Sequence, residues 1–427
     1  MNKLTKNSPW AWVPTLYFAE GVPYVAVMTI SLILYKRLGM SNTDITLYTS
    51  WLYLPWVIKP LWSPFVDMMK SKRWWIVTMQ LLVGAALAGV AFTIPVAWWL
   101  QGTLCFFWLM AFSSATHDIA ADGFYMMGLD EHEQAYFVGI RSTFYRIATI
   151  FSSGILVGLA GALQVMTRSI RYSWSLVFYL MAGLFIAFWL YHNWVLPRPS
   201  EDSEKQTKTV KGIWDEFCQT LVTFFQKPQV WAGICFMLFY RMPEGLLAKV
   251  SALFLVDAPH NGGLGLSDGE YGLVQGTVGV IGLTVGGILG GFCASRDGLK
   301  RWLWPMVMAI TLPDIVYVVL AYWLPSSLFA ISSFVFVEQF GYGFGFSAYM
   351  LYLIYYSQGE HKTSHYALCT AFMALSMMIP GLFAGALQEA VGYRMFFIIV
   401  MLACTVTYVV TALLKIDPEF GKKKKEA

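Results

Sequence analysis

Charge is scarce in this chain. Of its 427 residues, 13% are Asp, Glu, Lys or Arg, against 57% apolar. Soluble domains carry about 25% charged residues, so a water-exposed globular fold is excluded. The mean hydropathy of +0.57 indicates a polytopic membrane protein instead. The six cysteines form no CxxC and no Cys/His zinc spacing. They read as small buried apolar residues, with no disulfide framework and no metal or cofactor expected. A net charge of +4 is too small to imply a nucleic-acid partner. The nucleophile set of an enzyme is missing, and the short tails leave no soluble signalling domain. A cleavable leader is also not expected. Lys3 and Lys6 precede an apolar run, but Pro14, Glu20 and Pro23 interrupt it and no small-residue cleavage site follows.

What is present is a series of apolar runs of about 20 residues, the length that crosses a bilayer. They fall near 10–34, 44–65, 74–96, 100–127, 136–164, 173–195, 228–256, 270–292, 302–323, 327–356, 363–388 and 393–414, which makes twelve. The one long polar stretch, "RPSEDSEKQTKTVK" at 198–211, separates the sixth from the seventh. The expected organisation is a six-helix half over 1–197, a cytoplasmic linker over 198–212 and a second half over 213–427. Twenty Lys and Arg fall on the termini and the loops after even-numbered spans, against five on the other side. Both termini are therefore expected in the cytoplasm, with the "KKKKEA" tail against anionic lipid.

The halves repeat. "AEGV" at 19–22 meets "PEGL" at 243–246, and "AGALQ" at 160–164 recurs at 384–388, both 224 residues on. "LGMSNTDI" at 38–45 meets "LGLSDGEY" at 264–271, and "KRW" at 72–74 recurs at 300–302. Two parallel six-span repeats joined by a polar linker resemble the major facilitator organisation, with a site at mid-membrane where the repeats meet. The fold class expected is thus an all-α membrane protein of twelve transmembrane helices in two pseudo-symmetric halves. "SPFVDMMKSKR" at 63–73 resembles that superfamily's loop after span two. It makes Asp67, Arg73 and, in the second half, Arg301 candidates for gating.

Against this apolar background a few charges stand out. "SSATHDIAADGFY" at 113–125 puts His117, Asp118 and Asp122 inside a span. A carboxylate at a bilayer centre costs at least ~2.5 kcal/mol, so it needs a function or a partner. Asp118, Asp122 and Tyr125 share one helical face. At 1.5 Å per residue Asp118 lies roughly 14 Å and Asp122 roughly 9 Å from the cytoplasmic end. Lys59 at roughly 10 Å and Arg146 at roughly 15 Å on flanking spans are the expected partners, not individually assigned, and Glu20 lies at a similar depth on span 1. Close carboxylates near cations suit proton coupling, with His117, Glu20 and Glu338 as further candidates. A buried pair that only locks two helices is the competing reading. A metal at "HDxxxD" is set aside for want of a second His or Cys. In "FYRMPEGLLAKV" at 239–250, Arg241, Glu244 and Lys249 are candidates to hold an anionic cargo. Tyr24 and Tyr240, with Tyr17 and Tyr342, sit on cavity helices where a sugar ring could stack.

Taken together, "FAEGVPYVAVMT", "VIKPLWSPFVD", "SSATHDIAADGF", "FYRIATIFSSG", "FYRMPEGLLAKVSALFL" and "FVEQFGYGFGFSAYMLYL" resemble AmpG-type anhydromuropeptide permeases over nearly the whole chain. That resemblance implies proton-driven import, from periplasm to cytoplasm, of N-acetylglucosamine linked to anhydro-N-acetylmuramic acid, with or without peptide. It implies an inner-membrane protein, a monomer, whose partners are that amino-sugar cargo, protons and the bilayer. It also implies roles for Lys59, Asp118, Asp122, the Tyr145–Arg146 pair and Glu338. His117, Glu20 and Asp314 depart from the pattern. Another sugar, an acyl-CoA-like or a siderophore-like ligand is the alternative cargo.

Overall fold

In the computed structural model, residues 8–129, 131–198, 210–359 and 362–420 are described. Lys3, Lys6, most of the polar linker and the "KKKKEA" tail lie outside them. The described chain is helical with no strand, as hydrocarbon demands of backbone that must satisfy its own hydrogen bonds. Among the described residues, eight helices are long and apolar enough to cross a membrane: Pro9–Arg37, Lys72–Thr93, Trp99–Gly128, Gly139–Thr167, Ile170–Val195, Asp268–Asp297, Leu299–Trp323 and Ser364–Ala412. The last is two spans joined across Gly392, whose φ of 75° breaks the helix. Leu328–Ser357 adds one more.

The remaining two spans are broken, and proline explains both. Span 2 runs as Asn42–Trp51 and Leu54–Met69, with Pro55 just past the break. Span 7 runs as Val230–Phe239 and Met242–Val256, with Pro243 just past it. Proline lacks the N–H and clashes with the preceding turn. Pro313 likewise opens a 3₁₀ turn, Leu312–Asp314, inside span 9. Wide π turns interrupt span 1 at Ala26–Ile30, span 5 at Ile150–Leu156 and span 8 at Val274–Gly279. The first two touch.

An amphipathic helix not expected from the sequence, Val210–Phe225, starts inside the supposed linker. Its Phe217, Leu221 and Phe224 share one face, and Phe224 is fully buried beside His365 and Phe372. Span 5 likewise begins early, in helix Glu131–Thr149.

The chain divides into two compact units, residues 1–34 with 58–213 and residues 35–57 with 214–427. In the first, span 1 lies along spans 5 and 4, and span 3 packs on spans 4 and 6. Its core gathers Trp12, Leu16, Tyr17, Phe124 and Tyr125. In the second, span 8 lies along span 10 and span 7 along span 11, over a core of Phe236, Tyr240, Tyr349 and Tyr352. Helix Asn42–Trp51 belongs to this unit and packs on Ser364–Ala412. Large apolar side chains such as Met166 and Phe329 face outward, which lipid makes favourable.

Candidate functional site

Each unit holds a knot of three carboxylates. In the first, oxygens of Glu20, Asp118 and Asp122 all lie within 4.8 Å of one another. Glu20 comes from span 1, immediately before Gly21. That glycine lets span 1 approach span 5: a Cβ there would meet Ala148 Cβ at 2.9 Å and the Tyr145 carbonyl at 3.1 Å. Asp118 and Asp122 project one turn apart from span 4.

Two cations answer the three acids. Lys59, from the Pro-rich second half of span 2, donates to Asp118 in a close ion pair. The cation on Asp122 is Arg141 rather than Arg146, at 3.1 Å. Arg141 also donates to the Tyr17 hydroxyl at 2.9 Å, and its guanidinium lies 4.6 Å from the Tyr17 ring centre and 5.0 Å from that of Tyr125. Tyr17 in turn donates to Asp122 at 3.1 Å. Glu20 keeps one buried oxygen without a hydrogen-bond partner. Sequence reasoning missed Arg141 by treating it as a loop charge. The signal was present: Arg141 is four residues before Tyr145, on the face of span 5 that meets Gly21.

His117 does not join the cluster. Its Nε2 lies 3.0 Å from Gln80 Nε2 on span 3. Gln80 Oε1 lies 3.0 Å from His192 Nδ1 on span 6, and His192 Nε2 lies 2.9 Å from Thr15 Oγ1 on span 1. This buried chain ties four spans and engages one ring nitrogen of His117 and both of His192, the ordinary fate of a polar group inside a helix bundle. Arg73, a gating candidate, donates to the Asn193 and Leu196 carbonyls at the end of span 6, which caps that helix. The side chain of Asp67 lies outside the described residues.

The second unit brings Glu244, Asp314 and Glu338 within the same 4.8 Å, all three buried. Arg241 immediately precedes the second half of span 7, donates to the Tyr342 hydroxyl and sits 4.7 Å over Phe346. Lys249 donates to Thr49 Oγ1 at 2.7 Å and lies 5.5 Å from the Tyr53 ring centre. Tyr240 donates to the Gly345 carbonyl at 3.1 Å from within the aromatic core, so it is packing rather than cavity lining. Tyr24 is half-buried four residues beyond Glu20. Arg301, 74% exposed, makes a helical pair with Asp297 at 3.5 Å. At the other end of this unit Lys36 reaches Asp257 at 2.8 Å and Arg37 reaches Asp268 at 2.5 Å. Burial alone would raise the Asp257 carboxyl, but hydrogen bonds from Lys36, Asn261 and Tyr393 hold it below the usual carboxylate range. In each knot the three oxygens are close enough for their charges to repel, so that each knot invites a proton or a metal ion.

Known proteins resemble this chain in sequence and in fold. The anhydromuropeptide permease of Escherichia coli K12 is 25% identical over 405 residues, 90% of this chain and 75% of that one. The putative transporter AmpG 4 of Rickettsia conorii is 23% identical over 90% of this chain and 91% of its own. Among solved structures, a bacterial homologue of the human lysosomal transporter Spinster superposes with a TM-score of 0.70 at 15% identity, over 96% of this chain and 97% of that one. A D-xylose–proton symporter does so at 0.69 and 13%, over 95% and 99%. The fold and the relatives are those of multi-pass membrane transporters, not enzymes. With the superfamily's model matching residues 15–257 and 245–427, the chain belongs to the Major Facilitator Superfamily.

Proposed function

We propose that this chain is a proton-coupled importer of muropeptide-like amino-sugar fragments, working by alternating access in a bacterial inner membrane with both termini cytoplasmic. The observation that carries the coupling is the charge count of the first knot. Three carboxylates face two cations, so one negative charge is left over when all are ionised. A single shared proton closes that balance, and Glu20 holds a free buried oxygen to take it. Proton uptake from the periplasm neutralises the knot. Release to the cytoplasm leaves the Lys59–Asp118 and Arg141–Asp122 pairs in place and returns the surplus negative charge to Glu20. Glu338 extends the same role to the second unit. Arg241, Lys249, Tyr24 and Tyr145 are the residues we place nearest the cargo. The relatives named as anhydromuropeptide permease and AmpG transporters support the amino-sugar class.

The test is uptake of labelled N-acetylglucosaminyl-anhydromuramic acid into vesicles carrying the purified chain under an imposed proton gradient. Uptake is expected to collapse when the gradient is dissipated, and to fall at least tenfold in Asp118→Asn. Gradient-independent uptake, or full activity of that variant at every pH, overturns the coupling. A folded protein with no uptake overturns the cargo.

A further inference from the structure

The internal duplication extends to the acids. Glu20 plus 224 is Glu244, and Asp118 plus 220 is Glu338, so the first and fourth spans of each repeat present a carboxylate at matching places. The cations are not duplicated. The segment corresponding to Lys59, residues 283–287, reads Leu-Thr-Val-Gly-Gly. The counterpart of Arg141 is His365, whose Nε2 lies 3.1 Å from Thr223 Oγ1, away on the Val210–Phe225 helix. Instead the second knot gains a third acid, Asp314, from span 9.

Neutral groups surround it. Cys404 on span 12 donates its S–H toward Asp314 at 3.6 Å, and Gln339 donates to Glu338 at 2.9 Å. Arg241, on the same span as Glu244, is committed to Tyr342 and the Phe346 face. Among the described residues no Lys or Arg makes an ion pair with any of the three acids. Two further observations point to a missing ligand. Glu244 is 92% buried, yet one of its oxygens has no hydrogen-bond partner. The Tyr317 hydroxyl, fully buried and facing Glu338, Glu244 and Tyr271, has none at ordinary geometry either. Three ionised carboxylates this close, in hydrocarbon and with one committed cation nearby, are not sustainable.

We propose that Glu244, Asp314 and Glu338 form a second proton-binding site, in which protons shared among three carboxyls balance the charge that Lys59 and Arg141 balance in the first knot. This rests on the coupling role given to Glu338 above and extends it to a site that loads two protons, leaving one negative charge for Arg241. Three carboxyls and one hydroxyl carry seven oxygens, enough for a hard cation when carboxylates bind through both, so sodium is the competing occupant that the experiment must separate from a proton. A proton needs only a donor and an acceptor.

Infrared difference spectroscopy on the full chain, reconstituted in lipid without sodium, tests this with neither cargo nor gradient. A failed site is thereby distinguished from a failed transport reading. Wild type at neutral pH is expected to show the C=O stretch of protonated carboxyls, shifted in D2O. Asp314→Asn is expected to lose roughly a third of its area, and Glu338→Gln a comparable share. Glu20→Gln is expected to leave that share intact. If Asp314→Asn does not fold, Glu338→Gln and the wild-type pH titration carry the test. A spectrum unchanged by folded variants overturns the proposal. So does a band that added sodium removes, which would make the knot a sodium site.

Discussion

Arg141 does more in the first knot than its place near one end of span 5 implies. It binds Asp122, bonds Tyr17 and stacks between the rings of Tyr17 and Tyr125, while remaining 31% exposed. Exposed pairs are worth up to about 1 kcal/mol and fully buried ones cost about 3–5 kcal/mol to break, so this pair falls between, at about 1–3 kcal/mol. Arg141→Gln is expected to lower the thermal midpoint of the purified protein and abolish gradient-driven uptake. Arg141→Lys keeps the charge, loses the stacking and the planar fork, and is expected to retain partial uptake. An uptake rate for Arg141→Gln equal to wild type would show that Asp122 needs no cation. The intramembrane acids themselves were legible in the sequence, because hydrocarbon makes every carboxylate conspicuous. Their partners were less so. Span 5 starts at Glu131 in a polar first turn, and Arg141, only five residues into the expected span 136–164, counts there with the loop charges rather than as a partner for Asp122. For His117 the residue was conspicuous but its direction was not. One position along a helix is a rotation of about 100°, enough to send it to Gln80 while Asp118 faces the knot.

Among the helices, close approach rather than polarity positions the acids. Gly21 next to Glu20 and Gly245 next to Glu244 occupy matching places 224 residues apart. A Cβ at Gly21 would stand 2.9 Å from Ala148 Cβ, and one at Gly245 2.9 Å from the Ser376 carbonyl. Each glycine lets the first span of its repeat lie against the fifth. Overfilling such contacts typically costs about 1–3 kcal/mol. Gly21→Ala and Gly245→Ala are each expected to lower thermal stability by that order and to slow uptake by shifting the adjacent glutamate. Gly158→Ala is the control, because its Cβ would meet nothing within 4 Å; it is expected to be neutral or slightly stabilising. Equal stability for all three variants would remove the close-approach argument. The breaks in spans 2 and 7 were readable from Pro55 and Pro243, which carry a local steric cause. The π turns were not, since their extra residue per turn answers packing that the sequence around Ala26 or Ile150 does not spell out.

Across the whole molecule the duplication made the twelve-helix fold legible, but contact does not follow the duplication. Residues 35–57, from the first repeat, belong to the unit built by the second. Asn42 donates to Gln388 at 2.6 Å and to the Tyr393 hydroxyl at 2.9 Å, and Thr46 Oγ1 accepts the Gly385 N–H at 3.0 Å. Thr49 receives Lys249, Lys36 holds Asp257, and Arg37 holds Asp268. Such long-range pairing leaves no periodicity for a sequence reading to detect. It also means that the second half cannot be self-sufficient. Expressed without residues 35–57, it would keep Lys249 and Gln388 buried without these partners, and a buried polar group left unpaired typically costs about 1–3 kcal/mol, more if charged. A chain divided within the polar 199–209 segment separates the halves without cutting any described helix. The second fragment alone is expected to be degraded or to aggregate. Co-expression with the first is expected to restore both its stability and gradient-driven uptake. A first fragment carrying Asn42→Ala and Thr49→Val together should rescue it less well. A stable, monodisperse second fragment on its own would show that residues 35–57 decorate that unit rather than complete it.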